Sequence, residues 1–168
     1  MEKRHYAKTS LFIAILLIII TLVLMSLVYP QILNLHIYIG PYYIHHWLSW
    51  TGTLFIALFT PYYVYSKRRN PLKLKNLLKI HVFDNLIAAM FVSIHFTQQI
   101  SRPAQFYPDL GTGVVLYVSI LLMVATGFIL RFQLARIPRG IARFIHTSAT
   151  VIFYLIILVH ILHGIGII

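Results

Sequence analysis

Five long apolar stretches alternate along this chain with short polar connections marked by proline and glycine. They cover residues 10–29, 45–65, 79–100, 113–132 and 142–165. Each is close to the roughly 20 helical residues that cross about 30 Å of hydrocarbon. The breakers fall where turns are needed: Pro30, Gly40-Pro41, Asn70-Pro71, Pro103, Pro108, Gly111 and Pro138-Arg139-Gly140. Pro61 lies inside the second stretch and is expected to bend it near its inner end. Residues 32–39 alternate apolar and polar side chains. That segment reads either as a short strand leading to the Gly40-Pro41 turn or as a surface loop. The pattern predicts an all-α, polytopic membrane protein with five transmembrane helices in a single membrane domain spanning residues 1–168.

Composition sharpens this. Hydrophobic residues make up 60% of the chain and charged ones only 10%, against roughly 25% charged in soluble domains. Mean hydropathy is +0.84. The 14 Lys and Arg outnumber the 3 Asp and Glu, and their placement argues for a membrane rather than nucleic acid. All of the 14 except Arg102 lie in the N-terminus, in 67–79 or in 131–143. The positive-inside rule puts those segments in the cytoplasm and the C-terminus outside, across the cell membrane. Tyr29, Tyr38, Tyr42, Tyr43, Trp47 and Trp50 then gather at the outer interface, where amphipathic rings prefer to sit. The first stretch has a basic start, but its apolar run of 11–28 exceeds the 7–15 residues of a signal-peptide core and no A-x-A-like site follows. It is expected to be retained. With no cysteine, disulfides, cysteine-held clusters, thiol catalysis and covalent haem attachment are excluded.

Nine histidines are many for so apolar a chain. His81 and His95 stand 14 residues apart on the third stretch, and His146 and His160 stand 14 apart on the fifth. At 3.6 residues per turn such a pair shares one helix face, about 21 Å apart along the axis. Both stretches run from inside to outside. His81 and His146 are therefore level near the inner surface, and His95 and His160 near the outer one. Two stacked centres, each with one imidazole from each helix, match six-coordinate haem held by two axial ligands. A bare zinc site needs about four ligands at one level, or three plus water. A lone histidine is often just a polar residue bonded inside the bundle, but four with matched spacing and direction point to function. His163 competes with His160, yet lies about 100° off the shared face. Gly113 and Gly127 repeat the 14-residue interval on the fourth stretch. Glycine there lets a flat macrocycle approach the backbone, although small residues also serve ordinary packing.

The two H-x13-H helices, separated by a helix with glycines 14 apart, resemble the four-helix di-haem core of cytochrome b. The ferric reductase and NADPH oxidase membrane domains are similar. The resemblance covers residues 45–165 and leaves the first helix (10–29) as an addition before a four-helix haem bundle. It implies His81 and His146 on an inner iron and His95 and His160 on an outer one, with Gly113 and Gly127 flanking the macrocycles. Gly52 has no partner 14 residues away, the Pro-Glu-Trp-Tyr quinol motif is absent, and no nucleotide-binding loop appears. Flavin or another redox group would have to come from a separate subunit.

Other residues fill out the expectation. Arg102, seven residues after His95, is a candidate partner for an outer haem propionate. Lys79, Arg131 and Arg143 are the inner candidates, with Arg143 one turn before His146. Each also fits simple anchoring at the interface. Asp84, one turn after His81, is a candidate proton relay or ion-pair partner. His36, His45, His46 and His163 fall on the outer side, as scattered interfacial residues, as a metal or quinone site, or as donors to the outer haem. The expected function is a membrane di-haem b-type cytochrome with two non-covalent haems b. It would carry electrons between a quinone pool and a partner redox subunit, as part of an oxidoreductase rather than a complete enzyme. A quinone is a candidate second ligand. Expected partners are lipid and other redox subunits, with homo-oligomerisation open and nucleic acid excluded. The alternatives are a ferric-reductase-like conduit fed by a separate flavoprotein and, in a different class, a histidine-lined metal or proton transporter. Parallel rather than inverted repeats count against the transporter.

Overall fold

The computed structural model describes residues 2–105, 110–133, 136–164 and 166–167, with the backbone alone for residues 2–7 and Pro71. Among the described residues it is all-α, with five α-helices: α1 (Glu2–Val28), α2 (Ile44–Arg69), α3 (Leu74–Ile100), α4 (Gly111–Phe132) and α5 (Arg139–Gly164). Every apolar stretch has become a helix, each longer than its apolar run because polar ends continue the backbone ladder. Pro108 and Ile165, singled out above, lie outside the described residues.

The breakers act as their chemistry requires. Gln31 takes a left-handed φ of 62° just past Pro30, and its N–H donates to the Val28 carbonyl at 3.0 Å, closing α1. The Asn70 N–H donates to the Ser66 carbonyl at 2.8 Å. A single 3₁₀ turn, Pro71–Lys73, then leads into α3. Gln133, at φ 55°, closes α4 with an N–H bond to the Ile129 carbonyl at 2.9 Å. Pro138 is followed at once by α5, so Arg139 and Gly140 belong to the helix rather than to the turn expected there. A proline at a helix start loses no hydrogen bond.

Of residues 32–39 only the last two form a strand. β1 (Tyr38–Ile39) pairs antiparallel with β2 (Tyr42–Tyr43), with Tyr38 opposite Tyr43 and Ile39 opposite Tyr42. The turn between them is Gly40-Pro41, and Gly40 sits at φ 63°. That conformation suits glycine, which has no Cβ to clash.

Four helical segments are long and apolar enough to cross a membrane among the described residues: Lys8–Val28, Leu74–Ile100, Gly111–Phe132 and Arg139–Gly164. The second stretch was expected as a fifth. Its helix forms at full length, but His45, His46, Thr51, Thr53, Thr60 and Ser66 lower its apolarity below that of the other four. Large apolar side chains such as Phe12, Leu22, Leu155 and Leu158 point outward, the surface expected where hydrocarbon is the solvent.

The chain divides into two compact units, Met1–Ser101 and Arg102–Ile168. In the first, α1 and α2 both pack on α3. A Cβ built on Gly52 of α2 would meet the Ala88 carbonyl oxygen of α3 at 2.8 Å and Phe91 Cβ at 3.2 Å. Glycine at this position therefore lets the two backbones approach. In the second unit α4 packs on α5 around buried Leu116, Ile120, Ala149 and Phe153.

Candidate functional site

The α4–α5 pair carries a repeated arrangement. Gly113 faces His160, whose Cε1 lies 3.4 Å from where a glycine Cβ would be, and Gly127 faces His146 Cε1 at 3.5 Å. The helices are therefore antiparallel, with each glycine level with one histidine. The residue before each glycine is a threonine, and both threonines reach an imidazole. Thr112 Oγ1 lies 2.9 Å from His160 Nδ1, and Thr126 Oγ1 lies 3.0 Å from His146 Nδ1. Two Thr-Gly dipeptides 14 residues apart thus meet two histidines 14 apart.

The bonds at His146 fix its tautomer. Its Nδ1 is 3.0 Å from the Met123 carbonyl oxygen, which can only accept. Thr126 gives its own hydroxyl proton to the Leu122 carbonyl at 2.5 Å, so it too accepts from the ring. The proton of neutral His146 therefore sits on Nδ1, and the lone pair is on Nε2. That is the form in which histidine ligates a metal. His146 and His160 are both half-buried, while His163 is exposed, as the helical period predicts.

On α3 both histidines turn to α2. The His81 ring stacks on Tyr63, with centroids 4.5 Å apart and planes 14° apart. Asn85 Nδ2 lies 2.9 Å from His81 Nδ1 and donates to the His81 carbonyl at 2.7 Å. One turn of α3 away from His81, Asp84 Oδ2 is buried with no hydrogen-bond partner among the described residues.

His95, at the other end of α3, belongs to a cluster. His45 Nδ1 lies 3.1 Å from His95 Nδ1, and the His46 ring centroid is 5.1 Å from that of His95. The ligand nitrogens of His45, His46 and His95 all lie within 4.8 Å of one another. His45 is fully buried, with Tyr43 stacked on it at 5.6 Å. Beside the cluster, buried Gln98 donates from Nε2 to Gln31 Oε1 at 3.2 Å and approaches the His36 ring at 3.3 Å. Tyr38 donates its hydroxyl proton to Tyr43 at 2.7 Å, and that bond holds the Tyr38 phenol above its ordinary pKa.

No known family, curated protein or solved structure matches this chain. Function must be read from the residues themselves.

The expected residues are therefore gathered unequally. His146 and His160 share the α4-facing side of α5 with Gly127 and Gly113. His81 and His95 both contact α2 side chains. The candidate propionate partners are less engaged: Lys79 and Arg143 are exposed, and Arg102 and Arg131 are half-exposed. Sequence reasoning missed the Thr-Gly pairing, although the repeated dipeptide at the histidine interval was a usable signal. For His45 and His46 it offers scattered interfacial residues or a metal or quinone site, without naming His95 as their neighbour. They meet His95 across about 50 residues of chain, and no local pattern reports such a contact.

Proposed function

We propose that this chain is a membrane di-haem b-type cytochrome subunit. It carries electrons across the cell membrane between a quinone pool and a partner redox subunit. One observation supports it above the others: on α4 and α5 two Thr-Gly units each hold an imidazole by Nδ1, at the same interval that separates His81 from His95. An imidazole bonded through Nδ1 presents Nε2 to a metal. The flanking glycines supply no side chain against the ring. These residues fit haem.

In this reading His81 and His146 hold an inner haem and His95 and His160 an outer one, within a four-helix bundle of α2 to α5 to which α1 is added. α2, the least apolar of the five, spans with them. Bound haem supplies one-electron chemistry. The protein's own residues orient the imidazoles, exclude water with apolar packing, and keep the bond to Met123 as an anchor for His146. Arg102 outside and Arg143 inside are the proposed propionate partners. Two histidines for each haem would leave no ligand position for oxygen or substrate, so the chemistry supplied there would be electron transfer. The N-terminus lies in the cytoplasm and the C-terminus outside. A separate flavoprotein as donor would make the chain a ferric-reductase-like conduit with the same ligands.

Single variants test the ligand pairs. His81→Ala or His146→Ala should remove the inner low-spin centre and spare the outer one. His95→Ala or His160→Ala should do the reverse, and His163→Ala should keep both. The account fails if His160→Ala retains two low-spin centres in protein that purifies as a monodisperse species.

A further inference from the structure

We propose that His45, His46 and His95 form a binding site for one divalent transition-metal ion of the cobalt–copper–zinc class. The site does not rest on the haem reading, and all three residues belong to the first compact unit. His45 and His46 begin α2, and His95 lies in the last two turns of α3. The tight α2–α3 connection and the close approach at Gly52 bring these helix ends together.

The distances suit a shared ion. His45 Nδ1 and His95 Nδ1 are 3.1 Å apart. Two nitrogens at that separation, each about 2.0–2.1 Å from a zinc-class ion, subtend about 95–102° at the metal. That lies between square and tetrahedral ligand angles. The proton now shared between these two nitrogens occupies the line along which they would converge on an ion. The His46 nitrogen lies within 4.8 Å of both. It must close by at most about 1.5 Å to reach the tetrahedral ligand spacing, and rotation of this half-buried side chain about its χ angles covers that. Tyr43 stacks on the rings of both His45 and His46, at 5.6 and 6.4 Å, which restricts their orientations.

The donor set selects the class of ion. Three neutral imidazoles and no carboxylate suit copper, zinc, nickel or cobalt and disfavour calcium and magnesium. Three protein ligands leave a fourth position for water or an exogenous ligand, as in catalytic rather than structural zinc sites. Neutral ligands leave the ion's full charge in place, so an anion in the fourth position would strengthen binding. His95 is also the proposed outer haem ligand. The trihistidine ion and the outer haem therefore draw on one imidazole and exclude each other.

The test is a Co²⁺ titration of the full-length chain, purified in detergent from a host that makes no haem. One Co²⁺ per chain should bind, with the visible d–d bands of four-coordinate cobalt. His46→Ala should weaken binding at least tenfold and shrink the Co²⁺-induced rise in unfolding temperature at the same Co²⁺ concentration. His163→Ala, exposed on α5, should behave as wild type. Circular dichroism and a monodisperse elution peak ensure that His46→Ala is folded. Absence of the bands, or a His46→Ala chain that titrates like wild type, overturns the site. The same titration on haem-loaded protein separates the two readings. Loss of cobalt uptake there supports a shared His95. Uptake that persists and still depends on His46 upholds the metal site and removes His95 from the outer haem.

Discussion

At the scale of single residues, the account turns on what holds each imidazole. His146 has two acceptors at Nδ1, Thr126 and the Met123 carbonyl. His160 has Thr112 at 2.9 Å. Losing the partner of a ligating histidine typically costs 10–100-fold in metal affinity. Thr112→Val should therefore weaken the outer haem about tenfold, read by haem titration of the reconstituted protein. Thr126→Val should cost less, because Met123 continues to anchor the ring. Equal losses would contradict the tautomer argument. Asp84 provides a second case. A buried oxygen without a donor contributes no stabilising bond. Asp84→Asn is expected to leave the unfolding temperature unchanged or raise it, and a clear fall would reveal a role the packing does not show. At this scale the sequence was informative where helical periodicity applies. The preference for His160 over His163 rests on angle alone, and the structure half-buries the first and exposes the second. Where contact depends on tertiary approach, as for His45 with His95, no interval in the sequence encodes it.

At the scale of elements, three glycines that look alike in sequence serve different ends. Gly52 sits 2.8 Å from a backbone oxygen once a Cβ is added, and a helix backbone cannot yield as a side-chain tip can. Gly52→Ala should push α2 from α3 and cost about 1–3 kcal/mol, measured by thermal or denaturant unfolding. Gly113 and Gly127 meet only imidazole edges at 3.4 and 3.5 Å, an ordinary contact. Alanine there should leave the α4–α5 pair intact, and stabilise it by about 0.5–1 kcal/mol through helix propensity. The same substitutions should lower haem content, since the methyl occupies the approach of the macrocycle. A Gly127→Ala protein with full haem would assign these glycines to packing alone. The helices themselves were legible because their apolar runs and their proline and glycine boundaries are local features. α2 was harder. Its length was evident, but its histidines, threonines and serines make it less apolar than its neighbours, and two of those polar residues, His45 and His46, meet His95 of α3.

At the scale of the whole molecule, composition and charge placement carry the inference. Nearly all basic residues fall on alternate connections, so a reporter active only in the cytoplasm should work when placed in 70–73 and fail at the C-terminus. The opposite result would invert the inner and outer assignments while leaving the ligand pairs intact. The central claim is that two matched histidine pairs hold two haems. A dithionite-reduced minus oxidised spectrum of the purified chain, with haem extracted by acid–acetone and counted, tests it most directly. The account predicts two low-spin b-type centres and two extractable haems per chain. A protein supplied with excess haem that yields fewer than two, or shows no reduced b-type bands, would contradict it.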